Sequence, residues 1–294
     1  MGNNGSSALV EAWRQQSVWS QAANRVKTSI SRARLLALLL GVCFAVLGAA
    51  SAQVMDDSPA WGRSLAFAAA IAAGLTPLVG QHATPQRVRD WTRLRSISEG
   101  LKAEVYARLA GGSVYRAADP DALLVERVEQ LQFESADLTR YTAELSPVLR
   151  DLPAIGDLVS YMETRVKGQI NNYYLPRAQQ MRSRLAVVRR VEFTFGALTT
   201  VLAAVGGAFE VAFAGMWLAV AATAGTAVTA YAATGKYDYQ ELEFSRTASE
   251  LERTYQRWLR DLPMSPEDED RLIEHCEGVI SVQNEAWMVK WQGE

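Results

Sequence analysis

Along the chain, uncharged apolar stretches alternate with polar segments in which apolar residues recur every three or four positions. The four longest charge-free stretches run from Leu35 to Met55, Ser64 to Gln86, Phe193 to Phe209 and Val211 to Gly235. A helix needs about 20 apolar residues to cross the hydrocarbon core of a bilayer, and each stretch reaches or approaches that length. They fall into two close pairs. The pattern therefore predicts an all-α integral membrane protein with four transmembrane helices in two hairpins, 35–55 with 64–84 and 191–209 with 211–235, continuing into a helical bundle. The third span contains only 17 uncharged residues between Glu192 and Glu210. Its turn falls either at Glu210 or at Gly206-Gly207, in which case the span draws in Ala186 to Val191.

The polar segments read as long helices. Phe244, Ala248, Leu251, Tyr255, Trp258 and Leu262 alternate spacings of four and three, the seam of a coiled coil, on a helix expected to continue directly out of span four. Ahead of span three, Met162, Val166, Ile170, Tyr174, Ala178, Met181, Leu185 and Val188 form a stripe in which Pro176 should kink the helix or start a new one. Asp119-Pro120 opens a return helix that Pro147 should end. Ser265-Pro266 opens another, with Glu267, Asp268 and Glu269 in its first turn, where carboxylates suit the helix dipole. Residues 1–150 and 155–294 thus each give a pre-span helix, a membrane hairpin and a polar helical hairpin, an internal duplication of pattern. Leu124-Val125-Glu126 against Leu272-Ile273-Glu274 is its best local match in letters.

Charge sets the expected orientation. Arg25, Lys27, Arg32 and Arg34 precede span one, Arg87, Arg89, Arg93 and Arg95 follow span two, and Arg182, Arg184, Arg189 and Arg190 precede span three. Basic residues are retained on the cytoplasmic side, so both termini should be cytoplasmic in a multi-pass protein of the cell membrane. A basic run followed by an apolar run and Ala50-Ser51-Ala52 also fits a cleaved signal peptide. The helical periodicity of the 34 residues ahead of it favours a retained helix. The net charge of −2 gives no reason to expect a nucleic-acid partner, and the two cysteines, Cys43 and Cys276, imply no disulfide framework.

Catalytic chemistry is not legible. His82 and His275 lie far apart without clustered partners, so neither a metal site nor a cofactor is expected, and Gly111-Gly112 and Gly206-Gly207 lack the residues of a phosphate loop. The chain is read as a non-enzyme. Span four carries Thr223, Thr226, Thr229 and Thr234, the first three on roughly one side, candidates for lining a wet path in an oligomer. Close helix packing accounts for the same residues. Glu210, with Asp56 and Asp57 on the other hairpin, is a candidate acidic mouth on the external side, or a set of solvated loop charges. Thr76-Pro77 could kink span two. Phe244, Leu251, Tyr255, Trp258 and Leu262 are candidates for docking a partner. Ion-coupled transporters place ionisable residues near mid-membrane, whereas the charges here fall at span ends. That weakens a transporter reading and leaves a homo-oligomeric pore or a membrane-anchored scaffold that docks a cytoplasmic protein.

The striped helix leading into a two-span hairpin, with Tyr173-Tyr174-Leu175-Pro176-Arg177-Ala178 through Arg190 before span three and Glu285-Ala286-Trp287 near the end, resembles the SLATT group of bacterial membrane proteins. The resemblance implies a two-span, pore-forming effector of bacterial conflict and defence systems in the inner membrane, here with two hairpins. Its implied partners are membrane lipids, further copies of the chain and a nucleotide messenger or protein as trigger.

Overall fold

In a computed structural model the chain is all-α, with no strand among the described residues, 6–116, 118–209 and 211–292. Among the described residues nine α-helices carry it: α1 (Ser7–Val54), α2 (Pro59–Gly80), α3 (Pro85–Ala110), α4 (Pro120–Phe133), α5 (Leu158–Tyr161), α6 (Leu175–Phe209), α7 (Ala212–Gly235), α8 (Tyr237–Arg260) and α9 (Pro266–Gln292). Four helical runs among the described residues are long and apolar enough to cross a membrane. The chain divides into two compact units, each assembled from both sequence halves. One comprises 29–84 and 179–241 and holds the apolar stretches; the other comprises 1–28, 85–178 and 242–294.

In the apolar unit, α1 and α2 form one hairpin and α6 and α7 the other. Gly62 lies so close to the end of α1 that a Cβ there would sit 2.8 Å from Met55 Cα, and Ser51 Oγ donates to the Gly62 carbonyl at 2.7 Å. Only a residue without a side chain permits this approach. The runs leading into the spans pass smoothly from polar to apolar sequence: α1 is a single helix of 48 residues. The runs leaving them are broken. A short 3₁₀ turn, Gln81–Ala83, separates α2 from α3. Between α7 and α8, Lys236 adopts the left-handed conformation, φ 44° and ψ 43°. The expected continuous helix out of span four is therefore two helices, because Gly235 and Lys236 form a C-terminal cap of the kind that ends helices.

In the second unit, Leu9, Ala12 and Trp13 of α1 pack with Val105 of α3, Tyr115 and Leu124 of α4 in one core cluster. The irregular segment 146–151 lies along α1: Ser146 and Asp151 carbonyls accept from Gln21 and Trp13, and the Arg150 guanidinium sits 3.7 Å over the Trp13 ring. Asp119 caps α4 by accepting from Ala122 N at 3.0 Å, with Pro120 at the first helical position as expected. The helix ends at Phe133, well short of Pro147. A 3₁₀ turn, Ala136–Tyr141, follows, tied to α3 by the Arg93–Asp137 pair and by Arg140 and Tyr141 on Asp90. These side-chain ties hold the segment in place of further α-helical bonds.

Between α5 and α6 the helix widens into π turns at Met162–Lys167 and Ile170–Tyr174, and regular α-helix resumes at Leu175, one residue before Pro176. The predicted stripe is preserved, with Met162, Val166, Ile170, Tyr174, Ala178 and Met181 all buried. π turns are uncommon and gather at functional sites.

Candidate functional site

The register of the second hairpin follows from three contacts. Thr229 Oγ1 donates to Glu192 Oε1 at 2.9 Å, a Cβ on Gly225 would lie 3.2 Å from Phe195 Cβ, and one on Gly206 would lie 3.4 Å from Ala214 Cβ. Antiparallel α6 and α7 thereby approach each other between Glu192 and Gly206 of α6, and Gly225 of α7 admits the bulk of Phe195.

The face α7 turns outward differs in kind from those of the other three spans. From Gly215 to Thr234 its exposed positions are Gly215, Ala219, Ala222, Thr223, Thr226, Thr229, Ala230, Ala233 and Thr234, every one of them Gly, Ala or Thr. α1 exposes Leu35, Leu36, Leu39 and Phe44; α2 exposes Phe67, Ile71, Leu75 and Leu78; α6 exposes Phe193, Leu198, Val201 and Val205. Thr223 and Thr226 donate their hydroxyls to the carbonyls of Ala219 and Ala222, at 2.8 and 2.9 Å. Each hydroxyl proton is used internally, and the oxygen lone pairs are left on the exposed face. Thr234 turns its hydroxyl to Tyr231 O, while its own carbonyl accepts from Arg34 of α1 at 3.2 Å.

Glu192, at the start of the predicted third span, lies against α7 in the structure. Its partner Thr229 lies six residues before the end of α7 at Gly235, about 9 Å along the axis. Among the described residues no cation lies within ion-pair distance of Glu192. An acidic group facing lipid at the centre of a span costs up to roughly 3 kcal/mol, so ionisable residues within spans normally face a wet or protein-filled space. The hairpin arithmetic was available in the sequence: with the turn between Phe209 and Ala212, residues 192 and 229 fall opposite each other.

The remaining expectations distribute as follows. Asp56 and Asp57 are exposed in the turn between α1 and α2. Glu210 lies outside the described residues, as do the side chains of Gln283 and of Glu285 to Trp287. Thr76 donates to the Ala72 carbonyl, and Pro77 is accommodated inside α2. Phe244, Leu251, Tyr255 and Trp258 are buried, and Leu262 is exposed. The seam is occupied from within the chain: Tyr173 and Tyr174 pack on Phe244, Tyr255 donates to Glu163, and Lys167 sits 5.3 Å over the Tyr255 ring. His275 lies 3.7 Å from Glu250, and no group able to hold a metal ion occurs among the described residues.

A buried charge cluster went unread in the sequence. Arg165, only 1% exposed and held in the first π turn, donates from Nε and Nη2 to the two Glu277 oxygens of α9 at 2.8 Å each; the Tyr161 hydroxyl joins at 2.9 Å. Its guanidinium lies 4.3 Å over the Tyr106 ring. Burial works against the Arg165 charge, yet the Glu277 carboxylate outweighs it and leaves the guanidinium more firmly protonated than usual. Beside it on α3, Glu99 pairs with Arg95 at 2.7 Å. Burial raises the Glu99 pKa, but Arg95, Lys102 and Arg165 together hold it below the ordinary value. Cys276, next to Glu277, is buried and its thiol is pushed up to about 12 chiefly by that burial, which makes it inert. Arg165 falls three residues after Met162 on the buried stripe, and that position in the sequence was the available signal.

Two family models match the chain. Residues 161–287 match the SMODS and SLOG-associating 2TM effector domain 1, and residues 17–122 match a protein family of unknown function, DUF4231. The first match covers the second hairpin with its flanking polar helices; the second covers the first hairpin with its own. No curated protein and no solved structure matches the chain.

Proposed function

We propose that the chain, whose residues 161–287 match the SLATT 2TM effector domain, assembles as a homo-oligomer around a conducting path lined by α7. The observation that carries this reading is the α7 face of Gly, Ala and Thr alone, set against large apolar residues on the other three spans. Lipid gains nothing from a face without bulk, whereas neighbouring helices or water do. In the assembly α1, α2 and α6 meet lipid and α7 turns inward.

The chemistry of that path favours cations. Threonine oxygens whose protons are returned to the backbone present acceptors, and a Glu192 from each copy adds a ring of negative charge at the cytoplasmic third of the path. Both termini are cytoplasmic in the cell membrane, and the protein acts by dissipating ion gradients when triggered within a defence system. Docking of a partner through the α8 seam is not favoured, since Phe244, Leu251, Tyr255 and Trp258 are already covered by the chain's own residues.

Ion flux through liposomes containing the purified chain tests the proposal. Wild type is expected to pass cations in preference to anions, Thr226→Trp to cut the flux by about tenfold or more, and Glu192→Gln to lower the cation preference. A well-folded oligomer that passes no ions under any added cytoplasmic ligand would overturn it.

A further inference from the structure

The interior charge of the unit formed by 1–28, 85–178 and 242–294 does not balance within its main cluster. Among the described residues Arg95, Lys102 and Arg165 bring positive charge, while Glu99 and Glu277 alone bring negative. The Glu277 carboxylate is fully committed and that of Glu99 on one oxygen. Glu277 spends its oxygens on Arg165 and Tyr161, and Glu99 Oε1 is taken by Arg95.

Lys102 is left with little. Its Nζ comes only to 3.9 Å of Glu99 Oε2, beyond hydrogen-bonding reach, although its side chain is just 20% exposed. An ammonium carries three donors, and that of Lys102, largely shielded, makes no hydrogen bond to Glu99. Arg165 Nη1 is buried without a hydrogen-bond partner. Next to Lys102 lies a cavity of about 40 Å³, lined by Arg95, Glu99, Lys102, Gln169, Tyr173 and Tyr174. Ammonium, guanidinium, carboxamide and phenol groups all offer hydrogen-bond donors.

We propose that this cavity is a binding site for one small monovalent anion of halide size, held chiefly by Lys102 and Arg95. Water in the cavity would satisfy donors and leave the surplus charge uncompensated; an anion does both. A cavity of this volume holds one or two water-sized bodies, so a halide fits and a nucleotide does not. The anion bridges α3 to the π turns that lead into α6. Its binding stabilises that packing whether or not the spans conduct, so the inference stands apart from the pore.

The test is thermal unfolding of the full chain in detergent at constant ionic strength, exchanging sodium gluconate for sodium chloride, together with the ³⁵Cl NMR linewidth of the chloride sample. Wild type is expected to show a saturating rise of about 3 °C with chloride and excess line broadening. Lys102→Met should lose both, and Lys102→Arg should keep both. Equal midpoints in chloride and gluconate, or broadening that survives in Lys102→Met, would overturn the proposal.

Discussion

The two hairpins are alike in hydropathy and unlike in what they show to their surroundings. In the first, α1 and α2 approach closely at Gly62 and expose Leu and Phe on both helices, without a charged side chain between Leu35 and Met55 or between Ser64 and Gly80. In the second, α6 keeps such a surface, but α7 exposes only Gly, Ala and Thr beyond Phe213, and Glu192 reaches its edge. Hydropathy averages a helix over all its faces, so it treats the two hairpins as equivalent. The chemistry of the exposed positions separates them, and on the proposed reading the first hairpin meets lipid while α7 meets water or another copy of the chain.

Bulk should be felt on one hairpin and not on the other. Thr226→Trp is expected to cut liposome flux by about tenfold or more, while Ile71→Trp on α2 leaves it within about twofold; equal losses would erase the distinction. The next largest effect is a control outside both hairpins. Arg165→Ala strands Glu277 in the bundle and should cost about 3–5 kcal/mol, read from hydrogen exchange of amides in α9, because one partner of a buried pair is left uncompensated. Gly62→Ala forces a Cβ against Met55 and should destabilise the first hairpin by about 1–3 kcal/mol in thermal unfolding; Gly74→Ala on the same helix, where a Cβ meets nothing, should not. Glu192→Gln should lower the cation-to-anion permeability ratio about threefold in reversal-potential measurements, and Thr76→Val on α2 should leave it unchanged.

The smallest effect concerns pH. Burial holds Lys102 at about 8 against an ordinary 10.5, with Glu99 opposing the shift and Arg165 and Arg95 adding to it; Glu277 of α9 also faces the group. Below the folded value Lys102 is charged in both states and the burial penalty is complete. Above it the unfolded chain binds more protons than the folded one, so stability rises with pH until the unfolded value is reached. The unfolding midpoint should therefore rise between about pH 8 and 9.5 in wild type and stay flatter in Lys102→Met.

Span number, hairpin pairing and the helical seam were legible because each rests on periodicity within one segment. Phe244 to Trp258 is buried as its spacing requires, and Asp119-Pro120 opens a helix as its cap requires. What escaped depends on groups distant in sequence. α4 stops at Phe133 because Arg93 and Asp90 on α3 hold the next turn, and no local signal at 134–147 announces that. Lys236 breaks the exit helix through a left-handed residue that hydropathy does not register. Glu192 stands at the start of the predicted third span, but its hydrogen bond to Thr229 depends on the partner helix. Glu99 and Lys102 carry no local sign of burial, which follows from the packing of α3, the π turns and α9 around them.

The central claim is that the outward face of α7 meets water and the outward face of α2 does not. Single cysteines placed at Ala219, Ala222, Thr226, Ala230 and at Ile71 and Leu75, in a Cys43→Ser background, and exposed to a membrane-impermeant thiol reagent in liposomes test this directly. Labelling at the α7 positions and protection on α2 is the predicted result. Equal protection on both helices of a folded oligomer would contradict it.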